Sequence, residues 1–238
     1  MDEDLDLFVT PVHHSRTDFN VVDDDYQLPI NYEYQHPGSL ASSRIRRQAQ
    51  GTLSLNGDGS TGLSGKVPLT GNDKYSLSAL GNLAFDNKMN TASKGIGLAL
   101  DTAGGHGASV MKETLPGSGS RLTGAGHANL FHNDNHDVTA NAFISRTMPS
   151  VPNVPNFNTV GGGVDYMYKN KVGASLGMAN TPFLHQKEYS AMGNLNLFRN
   201  PTTSVDFGAG FKKFETPSFN SGWNPSFGFT LGKTFGNF

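Results

Sequence analysis

Apolar and polar residues alternate with a period of two along most of the chain after residue 47. The alternation is clearest in residues 52–55, 75–80, 97–100, 164–169 and 227–233. A period of two is typical of β-strands, in which successive side chains point to opposite faces of a sheet. No stretch combines a 3.6-residue apolar stripe with helix caps. The pattern therefore predicts roughly ten to twelve short antiparallel strands and almost no helix.

Clusters rich in glycine and asparagine separate these segments and mark the turns between them. They lie at residues 56–59, 104–105, 133–135, 170–171 and 200–201. Gly and Asn accept the positive φ angles that tight hairpin turns need. The expected fold is all-β, an antiparallel meander that closes into a barrel or into two packed sheets.

A weak internal repeat lies in the C-terminal half of the chain. Residues 129–133, followed by Val138, resemble residues 196–200, followed by Val205, at an offset of 67. A repeated segment of this size is typical of duplicated structural units. The repeat predicts two glycine-rich domains, at residues 116–180 and 181–238, after a first segment at residues 48–115.

The first 47 residues differ in charge from the rest of the chain. They carry nine Asp and Glu against four Arg, a net charge of −5, whereas the remaining eleven acids and fourteen Lys and Arg give +3. Acids mixed with prolines and without a sustained period predict an extended, largely disordered segment.

The charge changes sign at the run Arg44-Ile45-Arg46-Arg47. A furin-type processing protease reads an R-x-R-R run because its acidic cleft needs several extended basic side chains at once. The alternative is a solvated charge cluster in a linker, but the composition changes at the same point. We therefore expect residues 1–47 to be an acidic pro-segment that is removed by cleavage after Arg47, so that the released chain begins at Gln48.

Composition narrows the class of protein. The chain has 29 Gly and 16 Phe but no Cys, which excludes disulfides and thiolate metal sites, and so many aromatic residues argue against disorder after residue 47. No apolar run approaches the roughly 18 residues of a membrane-spanning helix. The acidic start, Met1-Asp2-Glu3-Asp4, shows no signal peptide. If the protein is exported, we expect that its signal peptide has been left off this sequence or replaced by Met1.

Two motifs raise the question of catalysis or cofactor binding. Residues 57–62 match G-x-G-x-x-G, but no helix follows to hold a dinucleotide, and a hairpin turn explains the glycines. Three histidines and two aspartates form the densest potential metal cluster, although they surround ordinary turn residues: His127, His132, Asp134, His136 and Asp137. We expect no enzyme, no metal, no cofactor and no nucleic-acid partner.

The alternation of Gly and Phe has two interpretations. In one, Phe207, Phe211, Phe227 and Phe229 fill the core of a sandwich or barrel. In the other, the sheet presents an aromatic face to lipid, flanked by bases that suit an anionic membrane surface. The candidate contact residues under this second interpretation are Lys169, Lys171, Arg199, Lys212, Lys213, Phe227 and Phe229.

These features together resemble the attacins, the glycine-rich antibacterial proteins of insects. The similarity covers residues 44–238 and is most specific in residues 122–126, 131–137, 152–158 and 158–168. It implies an immune-induced protein, secreted into the hemolymph, stored as a pro-form and cleaved after the R-x-R-R run. It also implies an attacin N-terminal segment followed by two glycine-rich domains. The implied activity is binding of lipopolysaccharide and disturbance of the outer membrane of Gram-negative bacteria.

Two other functions fit parts of the pattern. A bacterial outer-membrane β-barrel shares the alternating segments of about ten residues and the C-terminal Phe238. The R-x-R-R run and the acidic leader argue against it, because such barrels need no cleavage of this kind. A purely structural glycine-rich secreted protein is the third possibility, which a bacterial-killing assay would separate from an antibacterial protein.

Overall fold

The computed structural model of the protein describes residues 48–237, and the side chains of those up to residue 235. The predicted disorder of residues 1–47 and the predicted cleavage run at Arg44, Arg46 and Arg47 lie outside the described residues. Gln48 is the first residue of the first strand.

The described chain forms thirteen strands and one short 3-10 turn, Pro182–Leu184. Within this part of the chain no helix is long and apolar enough to cross a lipid bilayer. The strands are β1 Gln48–Asn56, β2 Thr61–Gly71, β3 Tyr75–Phe85, β4 Thr91–Thr102, β5 Gly107–Leu115, β6 Gly119–His132, β7 His136–Pro149, β8 Phe157–Tyr168, β9 Val172–Thr181, β10 Gln186–Arg199, β11 Thr203–Thr216, β12 Phe219–Asn220 and β13 Asn224–Asn237.

The sheet closes on itself. Each strand from β1 to β10 pairs antiparallel with the next strand, so consecutive pairing runs as far as β11. The β11 strand then pairs with β13, and β13 pairs with β1. Twelve strands thus form a closed antiparallel barrel, and the two-residue β12 pairs only with β11. The all-β prediction is confirmed, and of its two variants the barrel is the one that forms.

The barrel has two rims of different composition. The rim that we call the polar rim holds the start of β1 and five short turns, at residues 72–74, 103–106, 133–135, 169–171 and 200–202. The opposite rim, called the apolar rim, holds the turns that follow β1, β3, β5, β7, β9 and β11. These turns lie at residues 57–60, 86–90, 116–118, 150–156, 182–185 and 217–223. All five glycine- and asparagine-rich clusters predicted as turns lie at or next to these chain reversals.

Polar side chains, not apolar ones, dominate the buried positions. Among the described residues only Ala49, Ala99, Leu115, Phe157 and Ala179 are buried apolar residues. Twelve polar or charged residues are buried, including Ser78, Thr139 and Ser145. A barrel interior lined by short polar side chains and glycine is the reverse of the apolar core of most globular proteins.

The internal repeat corresponds to two bulged hairpins. The pairing of β6 with β7 shifts register between Asn129 and Phe131, and the pairing of β10 with β11 shifts between Asn196 and Phe198. An extra residue in one strand is a β-bulge, which bends and twists the strand locally. The repeated sequence therefore builds the same local structure twice, while the division into domains at residues 116 and 181 stays a prediction.

Candidate membrane-contact surface

The outer wall of the barrel is apolar because side chains alternate between the two faces. In β9, Val172, Leu176 and Met178 are exposed outside, whereas Gly173 and Ala179 are buried inside. The most exposed wall positions are Ile96 in β4 and Leu176, which are 76% and 66% exposed and lie near the middle of their strands. A wall of this composition is typical of a barrel surrounded by lipid.

The wall is also tall enough to cross a bilayer. The twelve strands of the ring are 9 to 14 residues long. A strand of about 9–11 residues, tilted by about 45°, spans the hydrocarbon layer. Because the ring has no open edge, the backbone groups of its strands are paired within the wall, as lipid requires.

Aromatic side chains collect on the wall beside the polar rim. Three exposed tyrosines lie at the strand ends next to this rim: Tyr75, Tyr166 and Tyr168. The bulges place Phe131 and Phe198 at the same level. The Lys169 ammonium lies 5.4 Å from the centre of the Tyr168 ring. Tyrosine and lysine together suit the boundary between hydrocarbon and water.

The outward face of β11 and β13 carries Phe207, Phe211, Phe227 and Phe229, whereas Phe214 lies on the inward face with Lys212. Phe211, Phe227 and Phe229 are exposed, and the Phe207 and Phe229 rings pack against each other with centroids 5.1 Å apart. The interpretation that these residues fill a core is therefore wrong. The structure supports the alternative that they form part of an exposed aromatic face.

The predicted basic contact residues do not form one cluster. Lys169, Lys171 and Arg199 lie at the polar rim, and Arg199 is 3.9 Å from Asp206. Lys213 is on the outer wall near the apolar rim and pairs with Glu215 at 2.5 Å. Lys212 points into the barrel, where its charge interacts with Glu188. The membrane prediction for Lys212 thus conflicts with its position inside the barrel.

Five bases lie on the outer wall beside the apolar rim, and sequence reasoning missed all of them except Lys213. Each member points outward and lies within the four strand residues nearest that rim. The basic belt consists of Lys94, Lys112, Arg146, Lys187 and Lys213. Apart from Lys213, none makes an ion pair with another described residue. The sequence signal for this belt is a basic residue at an outward position near the end of a strand. It can be recognised only when the strand boundaries are known.

Three neighbouring loops of the apolar rim expose large apolar side chains. The loops 150–156, 182–185 and 217–223 contain no Asp, Glu, Lys or Arg. We call them the apolar sector. Its exposed side chains are Val151, Val154, Phe183, Leu184, Phe219 and Trp223. The polar rim turns, in contrast, expose no large apolar side chain.

The interior carries most of the acids of the described chain. Arg121 donates from Nε and Nη2 to Glu113 at 2.9 and 2.8 Å, and Asn82 donates to the other oxygen at 2.8 Å. Lys66 pairs with Asp101 at 2.5 Å. Six acids and four bases lie at inward strand positions: Asp101, Glu113, Asp137, Asp165, Glu188 and Asp206, with Lys66, Arg121, Arg199 and Lys212.

The histidine cluster is divided by the fold. His132 Nδ1 lies 2.9 Å from Asp137 Oδ2, whereas His136 Nδ1 lies 2.8 Å from the Tyr166 hydroxyl and its ring packs near Tyr168. The His127 ring lies inside, against Gly107. Within residues 48–237 no three His, Asp or Glu side chains converge on one metal position.

The G-x-G-x-x-G match forms a hairpin turn. Residues 57–60 connect β1 to β2, and a strand rather than a helix begins at Thr61. Asp58 accepts hydrogen bonds from the Ser60 backbone and hydroxyl, which closes the turn. The interpretation of these glycines as turn residues agrees with the structure.

Comparison with solved structures identifies the same architecture. A chain from the work "Unveiling the Mechanism Behind the in-meso Crystallization of Membrane Proteins" is similar with a TM-score of 0.56. It shares 12% identity, and the match covers 79% of this chain and 84% of that chain. At this identity the likeness shows the fold alone.

Sequence relatives identify the family. The model "Attacin, C-terminal region" matches residues 116–235. Attacin-A of Trichoplusia ni is 64% identical over 218 residues, covering 92% of this chain and 86% of that protein. Attacin-E of Hyalophora cecropia is 52% identical over 209 residues, covering 87% and 89%. The chain belongs to the attacin family, the antibacterial defence proteins of insects.

Proposed function

We propose that this protein is a secreted effector that disturbs the outer membrane of Gram-negative bacteria through contact between its apolar wall and membrane lipid. The observation that carries the proposal is the inverted distribution of side chains, with polar residues buried and large apolar residues exposed around the wall. Exposed apolar area is unfavourable in water by roughly 25 cal/mol per Å² and is relieved in hydrocarbon. A continuous apolar wall therefore favours a lipid partner.

Lipopolysaccharide is the anionic lipid that we propose as the first partner. The six inward acids and four inward bases leave five acids and ten bases on the outer surface and rims, a net charge of +5 against +3 for residues 48–238 as a whole. Bases near an anionic surface contribute to binding, while the wall supplies retention. Processing after Arg47 by a furin-type protease would remove a segment with a net charge of −5. The released chain would then be attracted more strongly to an anionic surface than the stored pro-form.

A charge placed in the middle of the wall tests the function. We expect Ile96→Lys combined with Leu176→Lys to keep the far-UV circular dichroism of the parent, because both side chains are already exposed. A Lys on the lipid face of a barrel at mid-membrane costs about 2–4 kcal/mol. The variant should therefore lose at least ten-fold in the rate at which a fluorescent probe enters Gram-negative cells through the outer membrane.

The matched control is Ala103→Lys combined with Asn135→Lys, which adds the same two charges at exposed positions of the polar rim. It should permeabilise cells at the rate of the parent. If the folded mid-wall variant permeabilised outer membranes as well as the control, wall–lipid contact would not be the mechanism.

A further inference from the structure

We infer that the apolar sector is the end of the barrel that docks on a lipid bilayer, with the basic belt at the level of the lipid phosphates. This inference rests on the proposed function and adds a direction to it. The two rims differ in composition, so they cannot be equivalent towards a membrane. The occupant to which the sector is fitted is an anionic phospholipid surface.

The first step of the argument is the chemistry of the three loops. Phe219 and Trp223 are 63% and 55% exposed, and Phe183 and Leu184 of the neighbouring loop are 48% and 40% exposed. A group of large exposed apolar side chains at one end of a molecule marks an interaction site. The absence of Asp, Glu, Lys and Arg from the loops means that no formal charge of theirs has to be desolvated when the sector enters lipid.

The second step is the rigidity of the sector. The Phe183 ring stacks on Phe157, the first residue of β8, with centroids 5.7 Å apart. Prolines occupy four positions in the loops: Pro152, Pro155, Pro182 and Pro217. Preorganised side chains lose less conformational entropy on binding than flexible ones. The sector therefore presents its apolar side chains to a partner without first having to fold.

The third step is the distance to the basic belt. The belt residues lie up to three residues from the strand ends, which corresponds to about 10 Å at roughly 3.3 Å per residue. Elements that lie in a membrane interface are buried by about 5–10 Å. When the sector is buried to this depth, Arg146, Lys112 and their neighbours reach the phosphates. Among the described residues, Glu215, paired with Lys213, is the only acid on the outer wall at that level, and the turns outside the apolar sector carry Asp58 and Asp86.

Arg146 shows the same arrangement locally. It lines a shallow cleft of about 350 Å³ together with Phe157, Pro182 and Phe183. No described residue forms an ion pair with it. A guanidinium beside aromatic and proline side chains suits a lipid phosphate whose acyl chains lie against the rings.

The single tryptophan of the chain, Trp223, reports on the sector directly. The full chain is mixed with vesicles of phosphatidylethanolamine and phosphatidylglycerol, and iodide is added outside. We expect the Trp223 emission to shift to the blue, to be quenched by lipids brominated in their acyl chains, and to be protected from iodide. The matched reporter, Trp223→Phe with Ala103→Trp at the polar rim, should stay accessible to iodide.

A second pair of variants tests the belt. Each base near an anionic surface contributes roughly five-fold to affinity. Arg146→Gln with Lys187→Gln should therefore weaken vesicle binding by roughly 25-fold, and Lys169→Gln with Lys171→Gln, which removes the same charge from the polar rim, should weaken it less than five-fold. Vesicles of phosphatidylcholine alone should bind parent and belt variant equally.

Each other outcome overturns the inference. Vesicle binding with the polar-rim reporter protected, or with both reporters equally accessible, would refute the docking direction but leave wall–lipid contact standing. Protection of Trp223 without vesicles, accompanied by self-association in sedimentation, would show that a second copy covers the sector. If the chain bound no vesicles and did not permeabilise cells, the proposed function would fall as well.

Discussion

At the scale of single residues, the barrel interior contains a buried ion pair between Glu113 and Arg121. Both side chains are nearly inaccessible, and Asn82 holds the second carboxylate oxygen. We expect Arg121→Met to lower the free energy of unfolding by about 3–5 kcal/mol, because it leaves a buried carboxylate without its partner. Urea denaturation followed by circular dichroism measures the change.

The double variant Glu113→Gln with Arg121→Met is the control for this prediction. It removes both charges, so most of the stability should return, since the penalty comes from the unpaired charge and not from the loss of attraction. Equal stability of the parent and of Arg121→Met would mean that water reaches Glu113 and that the interior is not dry at this point.

Sequence periodicity could assign residues to the two faces of a strand, but it could not say which face is buried. In β11 the alternation places Phe211 and Lys213 on one face and Lys212 on the other. A globular protein would bury the phenylalanine face, and a barrel in lipid would expose it. Lys212 and Lys213 are neighbours in sequence, but they point in opposite directions. The choice between the faces depends on closure of the sheet, which is a property of the whole ring.

At the scale of elements, the close approach of β8 to β9 explains why a glycine occupies position 163. A Cβ on Gly163 would lie 2.4 Å from the Leu176 carbonyl oxygen of β9, a backbone atom that cannot move alone. We expect Gly163→Ala to lower the free energy of unfolding by about 1–3 kcal/mol through overpacking. Urea denaturation detects a change of this size.

Gly81 in β3 provides the matched control for Gly163. A Cβ at Gly81 meets no atom within 4 Å, and its φ is not in the left-handed region. Gly81→Ala should leave stability unchanged or raise it by up to about 1 kcal/mol, because alanine loses less backbone entropy than glycine in a strand. Equal destabilisation by the two substitutions would show that the cost at Gly163 does not come from the close contact with the Leu176 carbonyl oxygen.

The turns and the repeat were predictable at this scale, whereas the bulges and the strand lengths were not. Asn133 and Asn200 each accept two backbone hydrogen bonds in their hairpins, which is the chemistry that makes asparagine a turn signal. A bulge needs one extra residue in a strand and leaves no turn signal behind it. The bulges after Asn129 and Asn196 interrupt the period of two, so the alternation of apolar and polar residues predicts strands shorter than the observed 14 residues.

At the scale of the whole molecule, the predicted cleavage separates two segments of opposite net charge. We expect Arg44→Ala combined with Arg47→Ala to leave the precursor uncleaved in cells that secrete it, because a furin-type protease needs both bases. Intact-mass spectrometry of the medium reads the result. Continued release of a fragment that begins at Gln48 would exclude this protease class, and a parent chain that is never cleaved would exclude processing.

Closure of the barrel also separates the charges of the processed chain into an inner and an outer set, which composition cannot show. The pairing of β1 with β13 joins strands from opposite ends of the described chain, and no local pattern in the sequence predicts it. Lys212 lies inside and Lys112 outside, although the net charge counts them equally. Replacing either by Gln lowers the net charge by one, so only their positions distinguish the two variants.

We expect Lys112→Gln to weaken binding to anionic vesicles about five-fold at low salt, because an outward base lies near the lipid phosphates. Lys212→Gln should leave vesicle binding unchanged, although it destabilises the fold by removing the charge beside Glu188. Co-sedimentation with vesicles measures the affinities, and circular dichroism confirms that both variants are folded. The difference should disappear at 1 M salt, where the Debye length falls to about 3 Å. Equal loss of affinity in the two variants would show that net charge, and not the inside-out arrangement of the barrel, governs the approach to the membrane.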